Sequence, residues 1–322
     1  MSVNLSGSCV LVMGGGGFIG RRTVESLLQA GARVRVIDIA SRQAAGVPES
    51  RDLDWIVGSV SDEALVASSA YMCDAAIFLA SNSLPASANS DLAGEIDAHV
   101  RTAVRVAELC DESRVRNFVF SSSGGTVYGL DSREPLRETD PTRPKNAYGV
   151  SKLAVENYLR VLSSLRNMRC LSLRISNPFG AGQVAWRGQG FIAAAMEHAF
   201  TGEPLTIWGD GSTVRDFVHV SDVADAMARA TLYAGDQAVI NIGSGRGHTL
   251  LEIVSKVEAA TGKTIDLKPE PDRPIDVLVN VLDASLAARE LDWRPVKTIE
   301  EGLAATALWW RERDEASAGR VR

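Results

Sequence analysis

The sequence predicts an α/β fold: a doubly wound parallel sheet joined to a smaller, discontinuous α/β unit toward the C-terminus. Three observations carry that expectation. Short continuous apolar runs recur early in the chain: "CVLVMG", "RVRVID", "DAAIFLAS", "NFVFSSS" and "CLSLRIS". Runs without polar alternation suit parallel strands covered on both faces. Helical patterns separate them, as in "GRRTVESLLQAG", which closes at Gly31, and strands alternating with helices read as successive βαβ units. After "SNPFGAG" the texture changes, and helix mixes with Gly- and Pro-rich turns from about Gln183 to Arg215.

Further along, "VHVSDVADAMARATLY" reads as a strand returning to a helix, and from about Ile242 come the helix "LLEIVSKVEAATG", a charged Pro-rich stretch and a last helix "IEEGLAATALWWRER". The pair Trp309-Trp310 in that helix is expected to pack, and the polar tail "RDEASAGRVR" to fray. The expected division is a nucleotide-binding domain of residues 1–177 plus about 218–243. A substrate domain of about 178–217 plus 244–322 completes it. A chain of 322 residues is long enough for two unequal domains, and 45% apolar residues supply their cores.

The totals also exclude function classes. A net charge of -6 argues against a general nucleic-acid or anionic-membrane binder, because such surfaces need a basic excess. No apolar run reaches the ~18 residues of a membrane span, and "MSVNLSGSCVLVMGG" lacks a basic n-region and a cleavage-like site. Cys9, Cys73, Cys110 and Cys170 show neither metal spacing nor a disulfide framework. The expected location is the cytoplasm. His99, His198, His219 and His248 are scattered, so no metal is expected.

Chemistry begins at the first turn. "VLVMGGGGFIG" sets four consecutive glycines directly after the first strand. Gly14, Gly17 and Gly20 fit G-x-x-G-x-x-G, and Gly15, Gly17 and Gly20 fit G-x-G-x-x-G. In either register glycine allows positive φ, close approach of a pyrophosphate and close helix–strand packing. The helix N-terminus then faces the phosphates. Gly14, Gly17, Phe18, Ile19 and Gly20 are therefore expected to bind a dinucleotide, giving a Rossmann-type sheet. Alone, such a pattern is only a tight turn. Here a strand precedes it, a helix follows, and Asp38 ends the next strand 18 residues after Gly20. A carboxylate there accepts from a ribose 2′-OH and repels a 2′-phosphate, which favours NAD over NADP; Arg42 nearby is the counter-signal.

"NAYGVSKLAVENYLRVL" places Tyr148 and Lys152 four residues apart at a helix start, on one face that Val155, Leu159 and Leu162 continue. By itself the pair reads as a half-buried tyrosine beside a snorkelling lysine. Beside a nicotinamide it becomes useful. A phenol with an ordinary pKa near ~10 is a poor base at neutral pH, and a fixed ammonium together with the charge of NAD⁺ favours the phenolate. Lys152 can also donate to the nicotinamide ribose. A hydroxyl beside the phenol would orient a substrate alcohol, and "SSSGGTVYG" offers three at the C-terminal end of a central strand, where ligands sit in open parallel sheets.

Together the glycine turn, Asp38, the serine cluster, Tyr148-x-x-x-Lys152, "RISNPFGAGQ", "GDGSTVRDFVHVSDVADA" and "NIGSG" resemble the extended short-chain dehydrogenase/reductase family. Within it they resemble nucleotide-sugar epimerases of the UDP-glucose 4-epimerase type, in order from about Ser8 to Trp310. The resemblance implies that Tyr148 is the base and Lys152 its partner. It implies Ser123 as the catalytic hydroxyl, 25 residues before Tyr148, with Ser122 as runner-up and Ser121 serving the backbone. For the substrate it implies Asn177 as a sugar-nucleotide contact and Arg215 and Arg273 on the diphosphate, a role suited to guanidinium forks. Salt bridges and a turn cap are the plainer readings of those three.

The implied activity is NAD-dependent inversion at C4 of a nucleotide-diphosphate sugar through a 4-keto intermediate. The alternatives are an NAD(P)H-dependent reductase of a 4-keto nucleotide sugar and, further off, a non-catalytic dinucleotide-sensing protein. Relatives that dehydrate carry an Asp-Glu pair after the catalytic Thr; here Gly124 and Gly125 follow Ser123. Other departures touch the cofactor pocket: Ser59 and Asp62 in "IVGSVSD", "DAHVRT" with Asp97 and Val100, and "FLASNSL". The resemblance further implies a homodimer through helices near 91–110 and 148–166.

Overall fold

In the computed structural model, residues 3–81, 88–129, 134–184, 190–271 and 277–318 are described. Seven strands form the main sheet in the order β10-β6-β5-β4-β1-β2-β3, every neighbouring pair parallel. They are β1 (Cys9–Met13), β2 (Arg33–Asp38), β3 (Leu53–Val57), β4 (Ala75–Phe78), β5 (Asn117–Ser123), β6 (Arg169–Ile175) and β10 (Val239–Ile242). Chain order reverses between β1 and β4, so the crevice at their C-terminal ends is the switch point where open α/β sheets bind ligands.

The apolar runs do what their lack of alternation implies. Val10 and Val12 of β1, Val119 of β5 and Leu171, Leu173 and Ile175 of β6 enter the core on one face. Leu11, Met13, Phe118, Phe120 and Cys170 enter the core on the other. Helix Phe18–Gln29 covers the first face with helix Val220–Ala230. Helices Thr102–Glu112 and Ala147–Leu165 cover the second. The fold is thus the Rossmann-like doubly wound sheet that the sequence predicts.

The remaining strands are β7 (Asn177–Phe179), β8 (Leu205–Trp208), β9 (Val214–His219), β11 (Gly247–Thr249), β12 (Leu267–Glu270) and β13 (Val279–Asn280). β9 is their hub, pairing with β7, β11 and β13, while β8 pairs with β12. Helices Phe191–Thr201, Leu250–Thr261 and Ile299–Ala318 close a separate apolar core over them. Trp310 is buried there, stacked on Phe200 at 6.2 Å. Ala287, Leu291 and Trp293 pack instead against the core of the main sheet. The last helix runs to Ala318, past the point where the polar tail was expected to fray. "RDEASA" contains neither Gly nor Pro, and residues of that kind propagate a helix.

All four cysteines are free. Among the described residues no group of three His, Cys, Asp or Glu side chains is placed to hold a metal, and no helix is long and apolar enough to cross a membrane.

Candidate active site

The glycine turn is held by contacts that leave no room for side chains. Gly14 has φ +89°, and a Cβ there would lie 2.7 Å from the Ala80 backbone nitrogen on β4's exit. A Cβ on Gly20 would lie 2.1 Å from the Gly14 carbonyl oxygen. The turn can therefore exist only with glycine at both positions. Helix Phe18–Gln29 begins with Gly17 at its N-cap and no capping side chain, so its first N–H groups are left for an anion. Asp38, at the end of β2, accepts from Gly16 N and from Ala40 N, each at 2.8 Å. Its carboxylate thus faces the turn. Arg42 points elsewhere, donating to the Val47 carbonyl at 2.9 Å and standing 3.8 Å from Glu49. A bare backbone cradle beside a fixed carboxylate fits NAD, whose pyrophosphate would sit on residues 14–20 and whose ribose hydroxyls would meet Asp38.

Beyond the switch point, β5 delivers the three serines. Lys152 Nζ donates to the Ser121 carbonyl at 2.9 Å and lies 4.8 Å from the Phe120 ring centroid and 5.3 Å from that of Tyr148. The ammonium thus sits against the face of the tyrosine. Ser122 is buried, and its hydroxyl donates to Glu156. Ser123 is half-buried, and among the described residues its hydroxyl makes no hydrogen bond. The loop that follows abuts the turn carrying Tyr148, since a Cβ on Gly149 would lie 2.7 Å from the Thr126 carbonyl oxygen. Asn146 caps the helix by accepting from Gly149 N at 2.8 Å, which fixes where Tyr148 enters.

Electrostatics at this pair run against easy ionisation. Burial, reinforced by Glu95, pushes the Tyr148 phenol up to about 12. Burial lowers Lys152 to about 8, opposed by Glu95 and Glu156. With the chain's own groups alone, the phenol holds its proton at neutral pH, and the lysine titrates within reach of it.

Under the serines lies a polar cluster that the sequence reading did not single out. Arg174 on β6 and Glu156 are 5% and 3% exposed at their side chains, and they pair with Nη2 to Oε2 at 2.7 Å. The guanidinium lies 4.8 Å from the Tyr128 ring centroid, and Tyr128 donates to Asn241 Oδ1 at 2.6 Å. The signal was present as a lone arginine in the apolar run "CLSLRIS", because an arginine in a buried strand demands a partner.

The substrate-side residues are placed less uniformly. Asn177, on β7, donates through Nδ2 to the Asp216 carbonyl at 2.9 Å. Arg215, on β9, donates through Nη1 to the carbonyls of Val214 at 2.9 Å and Val277 at 2.6 Å. Arg273 lies outside the described residues. At Gly124 an added Cβ would meet Leu282 Cδ1 at 2.5 Å, and Leu282 is fully buried. The position after Ser123, where dehydrating relatives carry an acid, is therefore closed to a side chain unless that core leucine moves.

Known proteins similar to this chain share its fold. A family model described as NAD dependent epimerase/dehydratase family matches residues 10–243. UDP-glucose 4-epimerase from Mycolicibacterium smegmatis is 31% identical, over 95% of this chain and 99% of its own. A dTDP-4-dehydro-6-deoxyglucose reductase from Escherichia coli is 30% identical, over 91% and 95% respectively. Among solved structures, UDP-glucose 4-epimerase from Thermus thermophilus in complex with NAD superposes with a TM-score of 0.84 at 31% identity, covering 94% of this chain and 99% of that one.

Proposed function

We propose that this chain, which belongs to the NAD dependent epimerase/dehydratase family, is an NAD-dependent epimerase that inverts C4 of a nucleotide-diphosphate sugar. The observation that carries the reading is Lys152 seated against the face of Tyr148, beside the end of β5 and across the switch point from the glycine cradle. Bound NAD would supply the hydride acceptor and donor for C4, with inversion requiring the 4-keto sugar to turn its other face to it. Tyr148 takes the proton of the sugar 4-OH and gives it back, so no second substrate is consumed. Ser123 orients that hydroxyl toward the phenol, since the Ser122 hydroxyl is already bound to Glu156. Lys152 holds positive charge against the ring, and with the charge of bound NAD⁺ it would lower a phenol that burial and Glu95 raise.

Gly14, Gly17, Phe18, Ile19, Gly20 and Asp38, with Tyr148 and Lys152 at the nicotinamide end, hold the cofactor in this reading; Ser123, Asn177, Arg215 and Arg273 hold the sugar nucleotide. Residues 1–177 and about 218–243 serve the first task, and about 178–217 and 244–322 the second. UDP-sugars are the expected substrates, because the epimerase relatives are UDP-glucose enzymes. Incubation with UDP-glucose, UDP-N-acetylglucosamine and UDP-glucuronate is expected to give the C4 epimer of at least one, detected by NMR. No inversion across a broad nucleotide-sugar panel defeats the proposal. The reductase relative supports a second reading, reduction of a 4-keto nucleotide sugar. That enzyme would oxidise added NADH or NADPH stoichiometrically, whereas an epimerase leaves its cofactor pool unchanged.

The two serines are separable by experiment. Ser123→Ala is expected to lower kcat by about 10²-fold, the loss typical of one positioned donor, with little change in stability. Ser122→Ala is expected to cost about 1.5–3 kcal/mol of stability, as for a hydrogen bond to a charged group, and to leave kcat within a few-fold of the parent. The opposite pattern in kinetics and denaturant melts assigns the chemistry to Ser122.

A homodimer is also part of the proposal. Val150, Tyr158, Val161 and Leu165 are exposed on helix Ala147–Leu165, and Leu92 and Ile96 are exposed on the neighbouring segment. Two such faces could bury one another across a two-fold axis. A monomer mass at micromolar concentration by sedimentation equilibrium removes this element. In this reading the enzyme works in the cytoplasm.

A further inference from the structure

On the two segments packed against the helix of Tyr148 and Lys152 lies a second pair of ionisable side chains with no role in the chemistry above. Glu95 ends the helical turn Leu92–Glu95, and His99 sits in the π-helical segment Ile96–Arg101 that follows it. Glu95 is 6% exposed and His99 9%. His99 Nε2 stands 3.8 Å from Glu95 Oε2, beyond hydrogen-bond range, and among the described residues that buried nitrogen has no hydrogen-bond partner. π-turns interrupt α-helices most often at functional sites, and this one packs on the helix that carries the candidate base. Helix Ala147–Leu165 packs on both segments. Asn89 Oδ1 accepts from Ala147 N at 2.8 Å, which pins the turn carrying Tyr148 to the stretch leading into Glu95.

A buried carboxylate needs a counter-charge, and so does a buried ammonium. Glu156 is committed to Arg174 by a forked pair and to Ser122. Lys152 therefore needs a further carboxylate, and among the described residues Glu95 acts on it besides Glu156. Burial depresses the His99 pKa, with Glu95 opposing and Lys152 adding to the fall, so the imidazole contributes no charge of its own at neutral pH. We propose that Glu95 is a positioning residue, its carboxylate the counter-charge that keeps the Lys152 ammonium beside Tyr148, with neutral His99 excluding water from the pair. This rests on the epimerase reading above, in which Tyr148 and Lys152 carry the proton.

The sign of the effect follows from the charge. The Glu95 carboxylate raises both Tyr148 and Lys152, so removing it lowers both. Among the described residues the charged or titratable groups facing this point are Tyr148, Lys152 and Glu156 from helix Ala147–Leu165 and Glu95 and His99 from the π-turned helix. β5 contributes only the Ser121 carbonyl. Asp97 and Arg101 pair with each other at 3.6 Å on the exposed side.

In Glu95→Gln, both limbs of the kcat/KM–pH profile are expected to move to lower pH by about one unit. Glu95→Asp, which withdraws the charge by one methylene, is expected to fall between the parent and Glu95→Gln. A second readout needs no turnover: ¹³Cζ-tyrosine NMR titration of the purified enzyme, with the Tyr148 resonance assigned by its loss in Tyr148→Phe. Its midpoint is expected to fall in Glu95→Gln. Glu95→Gln protein that melts like the parent, with both limbs and the Tyr148 midpoint unmoved, overturns the proposal. Should Glu95→Gln fail to fold, unmoved limbs and midpoint in Glu95→Asp overturn it equally. If the parent inverts no nucleotide sugar, the function fails while the tyrosine titration still decides the role of Glu95.

Discussion

Tyr148→Phe is expected to lower the rate of C4 inversion by about 10³-fold, within the range that a positioned general acid–base group supplies, while NAD remains bound. The substitution removes one oxygen and keeps the ring against which Lys152 Nζ rests at 5.3 Å from the centroid. Packing at the helix start, the Asn146 cap and the Lys152 donation to Ser121 should all survive. The cofactor cradle is built at the other side of the switch point from glycines 14–20 and Asp38, and it owes nothing to the phenol. The discriminating measurement is therefore paired. Turnover is followed by NMR of the sugar nucleotide, and bound NAD is quantified after denaturing the same preparation. Activity within about tenfold of the parent would remove Tyr148 from the role given to it here, because no neighbouring hydroxyl could replace a true base so well. Loss of both NAD and activity would place the phenol in cofactor binding rather than proton transfer.

How much of this could be read from the sequence differs by element. The sheet was legible because buried parallel strands are written as uninterrupted apolar runs, and "CVLVMG", "DAAIFLAS" and "NFVFSSS" have no other good use. The glycine turn was legible because no other residue fits beneath Ala80 or beside the Gly14 carbonyl. Tyr148 and Lys152 were legible through their i, i+4 spacing. Glu95, His99 and Glu156 were not. Each looks like an ordinary helical residue, and only the tertiary approach of two helices turns them into buried ionisable groups near one lysine. Arg215 marks another limit: its residue type suggests a diphosphate partner in sequence, whereas the donation of its Nη1 to the carbonyls of Val214 and Val277 is visible only in the structure. Spacing identifies residues that share one element. It is silent about partners brought together from distant ones.

The buried Arg174–Glu156 pair gives the largest stability effect expected of a single substitution outside the apolar core. Arg174 donates through Nε to both Glu156 oxygens, at 3.1 and 3.2 Å, and through Nη2 to Oε2 at 2.7 Å. Burial alone would depress the guanidinium, but the carboxylate more than reverses it and holds Arg174 above its ordinary pKa. Glu156→Gln keeps the shape and removes the counter-charge, leaving a buried guanidinium unpaired. The expected cost is about 3–5 kcal/mol in denaturant unfolding. Arg174→Met, which strands the carboxylate instead, is expected to cost a similar amount. The single variants Glu156→Met and Arg174→Met and their double then separate two explanations. If the singles are costly because each strands a charge, the double is expected to be more stable than either, since an apolar pair of similar volume commonly matches a buried ion pair. If its loss equals the sum of the two singles, the side chains act through independent contacts, and the brace beneath the serines is not an ion pair in any energetic sense.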